Sequence, residues 1–141
     1  MSEGFELPRK GSLENPVRVA VMISGGGSGL AALLRYQATA RTHQTVLVLS
    51  DKTDTSGLHH GIDAGVQSLG IPLPEEVDAK DRRIAHERLV NAALEENDIE
   101  LVVLSGYMRI LTPWFVSRWK GRLVNIPVSY THLTLPTICS V

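Results

Sequence analysis

Six residues, Ser24-Gly25-Gly26-Gly27-Ser28-Gly29, join a strand-like run to a helix-like run, and this junction constrains the fold more than any other feature of the chain. The run before it, Val17-Arg18-Val19-Ala20-Val21-Met22-Ile23, is apolar apart from Arg18 and rich in β-branched side chains, the pattern of a strand covered on both faces. After it, Leu30, Leu33 and Leu34 recur at helical spacing, and Ser28 is placed to act as the helix N-cap. Such a turn gathers free backbone N–H groups at the positive end of a helix, a seat for an anion such as phosphate. A sharp turn without a ligand also needs glycine; the position between strand and helix favours the anion. A dinucleotide is the competing guest, because Gly27, Gly29 and Ala32 fit the loose G-x-G-x-x-A spacing and Asp51 closes the next strand. The triphosphate-binding pattern fails, since the glycines are not followed directly by Lys and then Ser or Thr.

The rest of the chain alternates in the same way. Thr45 to Leu49 reads as a strand ending in the polar loop Ser50-Asp51-Lys52-Thr53-Asp54. Leu58 to Leu69 is expected to be a helix, and Gly70 to Leu73 allows a short strand. Over Ala79 to Glu96, Ile84, Leu89, Val90, Ala93 and Leu94 mark one apolar face of an amphipathic helix. Leu101 to Leu104 reads as a strand, Pro113 to Trp119 as a short helix begun by proline, and Arg122 to Ile126 as a further strand. Alternation of apolar strands with helices predicts an α/β fold, a Rossmann-like parallel sheet with helices on both faces. Ligands in such sheets sit beyond the carboxyl ends of the strands, in the loops after Ile23, Leu49, Leu104 and Ile126.

Composition narrows the function. A chain of 141 residues suits one domain, and 43% hydrophobic with 21% charged residues is the balance of a globular protein. The net charge of -1, with Lys and Arg scattered, gives no field to draw nucleic acid or an anionic membrane. Residues 1–16 mix Glu3, Glu6, Arg9, Lys10 and Glu14 with Gly and Pro, and read as a flexible leader without a signal peptide. No apolar run reaches the roughly 20 residues that span a bilayer, and the lone Cys139 has no disulfide partner within the chain. A cytoplasmic protein is expected, with Cys139 an inert thiol and no metal.

Four segments, in this order, resemble phosphoribosylglycinamide formyltransferases: Ile23 to Leu30, ISGGGSGL, is similar to their phosphate loop; Ser50 to Asp54 with Gly57-Leu58 to the loop after their second strand; Leu104 to Leu111, LSGYMRIL, to their folate loop; and Gly121 to Ile126 to the strand that carries their catalytic asparagine. The resemblance covers Val17 to about Ile126 and implies the formyltransferase fold. It also implies transfer of a formyl group from 10-formyltetrahydrofolate, the donor cosubstrate, to the amine of glycinamide ribonucleotide in de novo purine biosynthesis. The partners it implies are therefore small molecules. By the resemblance, Gly27, Ser28 and Gly29 hold the ribonucleotide phosphate; Arg83, Met108, Arg109, Ile110 and Leu111 contact the folate; and Asn125, catalytic and folate-contacting, donates to the oxyanion formed when the amine attacks the formyl carbon. On physics alone Arg83 reads first as a solvated helix residue, while Met108, Ile110 and Leu111 read also as core, and Asn125 equally as a strand end.

The chain departs from the family where the reaction needs a proton. The family usually has Asn where Gly29 stands, and a catalytic His where this chain has Pro127 after Asn125-Ile126. A protonated imidazole there polarises the formyl oxygen, and a family aspartate, falling beyond Val141, keeps it charged. His132 is no evident substitute, because nothing in the sequence brings it to Asn125. From Leu123 to Val141 there is no charged residue, and the stretch from Val128 to Thr137 has no clear periodicity. The expected division is a leader (1–16), a formyltransferase N-terminal domain (17–126) and an irregular tail (127–141) from a truncated or frame-shifted reading, incomplete at the C-terminus. Little or no turnover is expected, along with an unpaired sheet edge at the strand ending in Ile126 that favours association. The oligomeric state is left open, and a non-catalytic binding module is the third reading.

Overall fold

In the computed structural model the strand that precedes the glycines lies at the middle of the sheet. The structure describes residues 11–39, 41–126 and 137–138. Within them the elements run β1 (Val17–Ile23), α1 (Ser28–Tyr36), β2 (His43–Ser50), α2 (Ser56–Asp63), β3 (Gln67–Gly70), α3 (Ala79–Glu96), β4 (Leu101–Ser105), α4 (Pro113–Arg118), β5 (Leu123–Ile126) and β6 (Thr137–Ile138). The strands form one sheet in the order β3-β2-β1-β4-β5-β6, parallel throughout except for β6.

Side-chain alternation in β1 divides the core into two layers. Val17, Val19, Val21 and Ile23 pack with Leu30 of α1 and Leu58 of α2. Ala20 and Met22 pack on the opposite face with Val90 and Leu94 of α3 and with Phe115 and Trp119 at α4. Only Arg18 leaves β1 for solvent, and its guanidinium donates to the Asn97 carbonyl from Nε at 3.1 Å and Nη2 at 2.9 Å. This anchors the turn that leads from α3 into β4.

Several sequence expectations are corrected. The helix expected over Leu58 to Leu69 ends at Asp63, where Val66 N–H reaches back to the Gly61 carbonyl at 2.8 Å, a closure typical of helix C-termini. The released chain pairs with β2 as β3, so the short strand lies at Gln67–Gly70 rather than over Gly70 to Leu73. In α3, Leu89 is 49% exposed; it precedes Val90 and so lies about 100° round the helix from the packed face. That face instead buries His86, Glu87 and Asn91, each with a partner: Ile71 O at 2.6 Å from His86 Nε2, Thr112 N–H at 2.8 Å to Glu87, and Trp119 Nε1–H at 2.9 Å to Asn91. The edge of β5 is not unpaired. β6 lies antiparallel to it, with Val124 opposite Ile138 and Asn125 opposite Thr137. Pro127, His132, Cys139 and the first ten residues lie outside the described residues.

A polar knot joins the end of α1 to the start of β2. Gln37 Oε1 accepts from Thr45 N–H at 3.0 Å and from the Thr45 hydroxyl at 2.7 Å, which turns the Gln37 amide nitrogen toward His43 Nδ1 at 2.7 Å. Nδ1 must therefore accept, and His43 sits here as the neutral ring. Its pKa is lowered from 6.5, first by burial and then by the nearby Arg41 charge. Because the folded state binds the proton less readily than the unfolded chain, stability is complete above 6.5 and declines as pH falls through that value towards the lower folded pKa. Denaturation midpoints of the wild type and His43→Gln, compared between pH 8 and pH 5, should show a stability difference that is constant above neutrality and shrinks on acidification. A difference independent of pH would remove His43 from this role.

The seat of the glycine turn makes a second demand. Gly57 N–H bonds the Gly25 carbonyl at 3.1 Å, and a Cβ at Gly57 would lie 2.5 Å from that carbonyl and 2.3 Å from Ile23 Cδ1. Gly57→Ala is expected to lower stability by about 1–3 kcal/mol, the usual cost of overpacking, measurable as a fall in Tm. An unchanged Tm would show that the loop and α2 do not press on one another.

Candidate functional site

Strand order reverses at the middle of the sheet: the chain steps from β1 outward through β2 and β3, then returns to pair β4 on the other side of β1. The loops that leave the carboxyl ends of β1 and β4 therefore diverge, and a crevice opens between them, the usual ligand position in such sheets. A cleft of about 620 Å³ lies there, lined by Ser24 to Gly29, Lys52, His60, Ser105 and Met108 among others.

Its floor is the start of α1. Gly27, not Ser28, is the N-cap; it adopts φ 72° and ψ 35°, a left-handed conformation suited to glycine, and no side chain caps the helix. The correction is chemically useful, because uncapped N–H groups at a helix start remain available to a ligand. Lys52 reaches across from the loop after β2, where its Nζ donates to the Ser24 carbonyl at 3.2 Å. Thr55 caps α2 by accepting from Leu58 N–H at 3.3 Å, and this sets α2 beside the glycines, with His60 of its second turn on the cleft wall.

A second cleft of about 320 Å³ lies between α3 and the loop after β4. Arg82, Arg83, Glu87 and Tyr107 to Leu111 line it, and Met108 belongs to both clefts. Arg82 is held by the Val77 carbonyl at 3.0 Å and the Glu75 carbonyl at 3.1 Å. Arg83 is exposed, and its side chain makes no hydrogen bond to the described residues. Met108 and Ile110 are 71% and 72% exposed, so neither is the core residue that hydrophobicity alone allows.

Three ties hold the loop after β4. Met108 N–H donates to Ser24 Oγ at 2.8 Å, Arg109 Nε donates to Asp51 Oδ2 at 2.8 Å, and Thr112 donates to Glu87 through both its N–H and its hydroxyl. Asp51 is 4% exposed, and its other oxygen, Oδ1, has no hydrogen-bond partner among the described residues. It is thus turned into the protein beneath Arg109, not outward as a ribose acceptor, and the dinucleotide reading loses its acid. Burial, and then the Asp51 charge, push the Tyr107 hydroxyl well above the usual tyrosine range, so it stays protonated at any physiological pH.

The residues named from the sequence thus fall into two adjoining places. Gly27, Ser28 and Gly29 share the first cleft; Arg83, Met108, Arg109, Ile110 and Leu111 share the second. Asn125 lies exposed near the end of β5, opposite Leu104 of β4, and lines neither. Sequence reasoning missed Lys52, His60 and Ser105. Their signal was present, for Lys52 lies in the loop after β2, Ser105 ends β4 and His60 lies on the helix that Thr55 caps. Among the described residues no group of His, Cys, Asp or Glu is arranged to hold a metal, and no helix is long and apolar enough to cross a membrane.

Comparison with known proteins gives this geometry a lineage. Residues 17–130 match the family model described as formyl transferase, a span that reaches past Ile126, where the resemblance read from the motifs ends. The chain is 40% identical over 114 residues to the trifunctional purine biosynthetic protein adenosine-3 of Chironomus tentans, covering 77% of this chain and 8% of that protein. It is 38% identical over 113 residues to the phosphoribosylglycinamide formyltransferase of Escherichia coli K12, covering 78% of this chain and 50% of that one. The crystal structure of phosphoribosylglycinamide formyltransferase from Brucella melitensis superposes with a TM-score of 0.70 at 35% identity, over 78% of this chain and 56% of that chain. The chain thus spans about half the length of these single-function relatives. A family match that runs from the first residue of β1 through β5, on a sheet whose reversal point carries the glycine cleft, places this chain in the formyl transferase family.

Proposed function

We propose that this chain carries the ligand-binding part of a glycinamide ribonucleotide formyltransferase, acting on small molecules in cytoplasmic purine biosynthesis. The observation that carries the reading is that the two clefts adjoin at Met108. Formyl transfer needs an amine and a formyl donor brought edge to edge, and a ribonucleotide in the first cleft beside a reduced pterin in the second meets that need. In the first, the N–H groups at Gly27, Ser28 and Gly29 hold the phosphate, with Lys52 adding positive charge. In the second, Met108, Ile110 and Leu111 offer apolar surface to 10-formyltetrahydrofolate, and Arg83 meets the anionic part of the folate. Arg109 acts chiefly by holding the loop, since its Nε is committed to Asp51.

The amine attacks the formyl carbon and gives up a proton as the new carbon–nitrogen bond forms, and the bond to folate nitrogen breaks as that nitrogen takes up a proton. The family resemblance assigns Asn125, exposed near the end of β5 and outside both cleft linings, the bond to the oxygen that becomes negative. Pro127 brings no ionisable group to the proton transfer, so binding should exceed turnover.

Isothermal titration with glycinamide ribonucleotide and, separately, a 10-formyl folate analogue tests the two clefts independently. Lys52→Met should weaken the ribonucleotide about tenfold, in line with the loss of one charge-assisted contact, and leave the folate unaffected; Arg83→Ala should do the reverse. No heat with either compound, or equal effects of both substitutions on both ligands, would overturn the assignment. Formyl transfer, assayed beside the E. coli relative, should be slower by about 10²–10⁴, the usual contribution of a positioned acid or base. Equal rates would show that another group moves the proton.

A further inference from the structure

On the first turn of α1, the space where a Gly29 side chain would begin is already occupied. A Cβ there would lie 2.3 Å from Ser105 Oγ and 3.7 Å from Ser105 Cβ. Ser105 is the last residue of β4, is 7% exposed and lines the same cleft as Gly27 to Gly29. Its hydroxyl has no hydrogen-bond partner among the described residues and is not sealed in the core. A side chain more than nine-tenths buried, with an unpaired donor on the wall of a cleft, is placed to serve a ligand.

We propose that Ser105 is an anion-binding and specificity-determining residue of this cleft, and that Gly29 is glycine so that the Ser105 hydroxyl can project into it. The inference rests on the reading of the cleft as a phosphate site. The N–H groups of α1 approach an anion along the helix axis, whereas Ser105 approaches from the adjacent strand across the reversal point of the sheet. Two walls of different origin then hold one group of oxygens. A hydroxyl rotates to suit its acceptor, so one proton suffices to turn Oγ into a donor toward a phosphate oxygen. Position 29 and position 105 therefore act as a unit: a side chain at one leaves no room for the hydroxyl at the other.

Titration calorimetry of the full chain with inorganic phosphate and with glycinamide ribonucleotide, on the wild type and on Ser105→Ala, Gly29→Ala and the double variant, tests this. Ser105→Ala should weaken both ligands about tenfold, as expected for a hydrogen bond to a charged group. Gly29→Ala should weaken them by a similar factor because the added methyl displaces the hydroxyl. The double variant should bind no more weakly than Ser105→Ala, since the methyl group then meets only Cβ at an ordinary contact distance. Ser105→Cys, which keeps the volume and donates poorly, should match Ser105→Ala and guards against a folding effect, with Tm measured for each. Affinity of Ser105→Ala within twofold of a wild type that binds, or fully additive losses in the double variant, would overturn the Ser105 assignment while leaving the phosphate site in place. Absence of binding by the wild type would overturn the phosphate reading itself, and this inference with it.

Discussion

Everything in this structure leans on β1 being buried on both faces. Its odd-numbered residues and its even-numbered residues feed separate layers of core, one beneath α1 and α2 and one beneath α3 and α4. Burying an apolar side chain is worth about 1.5–3 kcal/mol, and β1 contributes to both layers along almost its whole length. No other strand is paired on one side with β2 and on the other with β4, so the direction in which the chain leaves β1 decides where the loops part. The glycine turn opens at that place, and a ligand site there follows from the topology before any side chain is considered.

The loops around the opening are held by a small number of directed bonds rather than by packing. Ser24 accepts from the Met108 amide, and Asp51 takes Arg109. A carboxylate as enclosed as Asp51 is costly without a counter-charge, and Arg109 supplies it from a side chain that remains 46% exposed. The arginine is therefore bound at one end and wet at the other. Glu87 plays the same part on the far side of the loop by receiving Thr112. The segment from Tyr107 to Leu111 consequently presents Met108 and Ile110 to solvent without being free to fold them inward.

Much of this was legible in the residues. β1, α3 and β4 stand out because an apolar run or a long helical period survives any local context, and the glycines announce the turn between β1 and α1. The boundary between α2 and β3 was not legible, because Leu58 to Leu69 holds enough spaced apolar residues for one helix and the break depends on a backbone closure onto Gly61. Leu89 misled for a similar reason: hydrophobicity suggested a buried face, whereas the helix turns His86, Glu87 and Asn91 inward, each satisfied by a distant partner that no local pattern reveals. The cap at Gly27 depends on a left-handed backbone that Ser28, a better capping residue on average, concealed. Ser105 and Lys52 join the cleft through strand order, and strand order is a property of the whole chain. The motif resemblance brought Arg83 together with Met108 to Leu111 where periodicity alone left Arg83 on a solvated helix.

Met108 stands as a party wall. Its amide is pinned to Ser24 at the glycine turn, and its neighbour Arg109 is pinned to the loop after β2, so the wall between the two clefts is fastened on both sides. Any coupling carried by such a shared wall is reciprocal: a guest on one side that alters affinity on the other has its own affinity altered by the same factor.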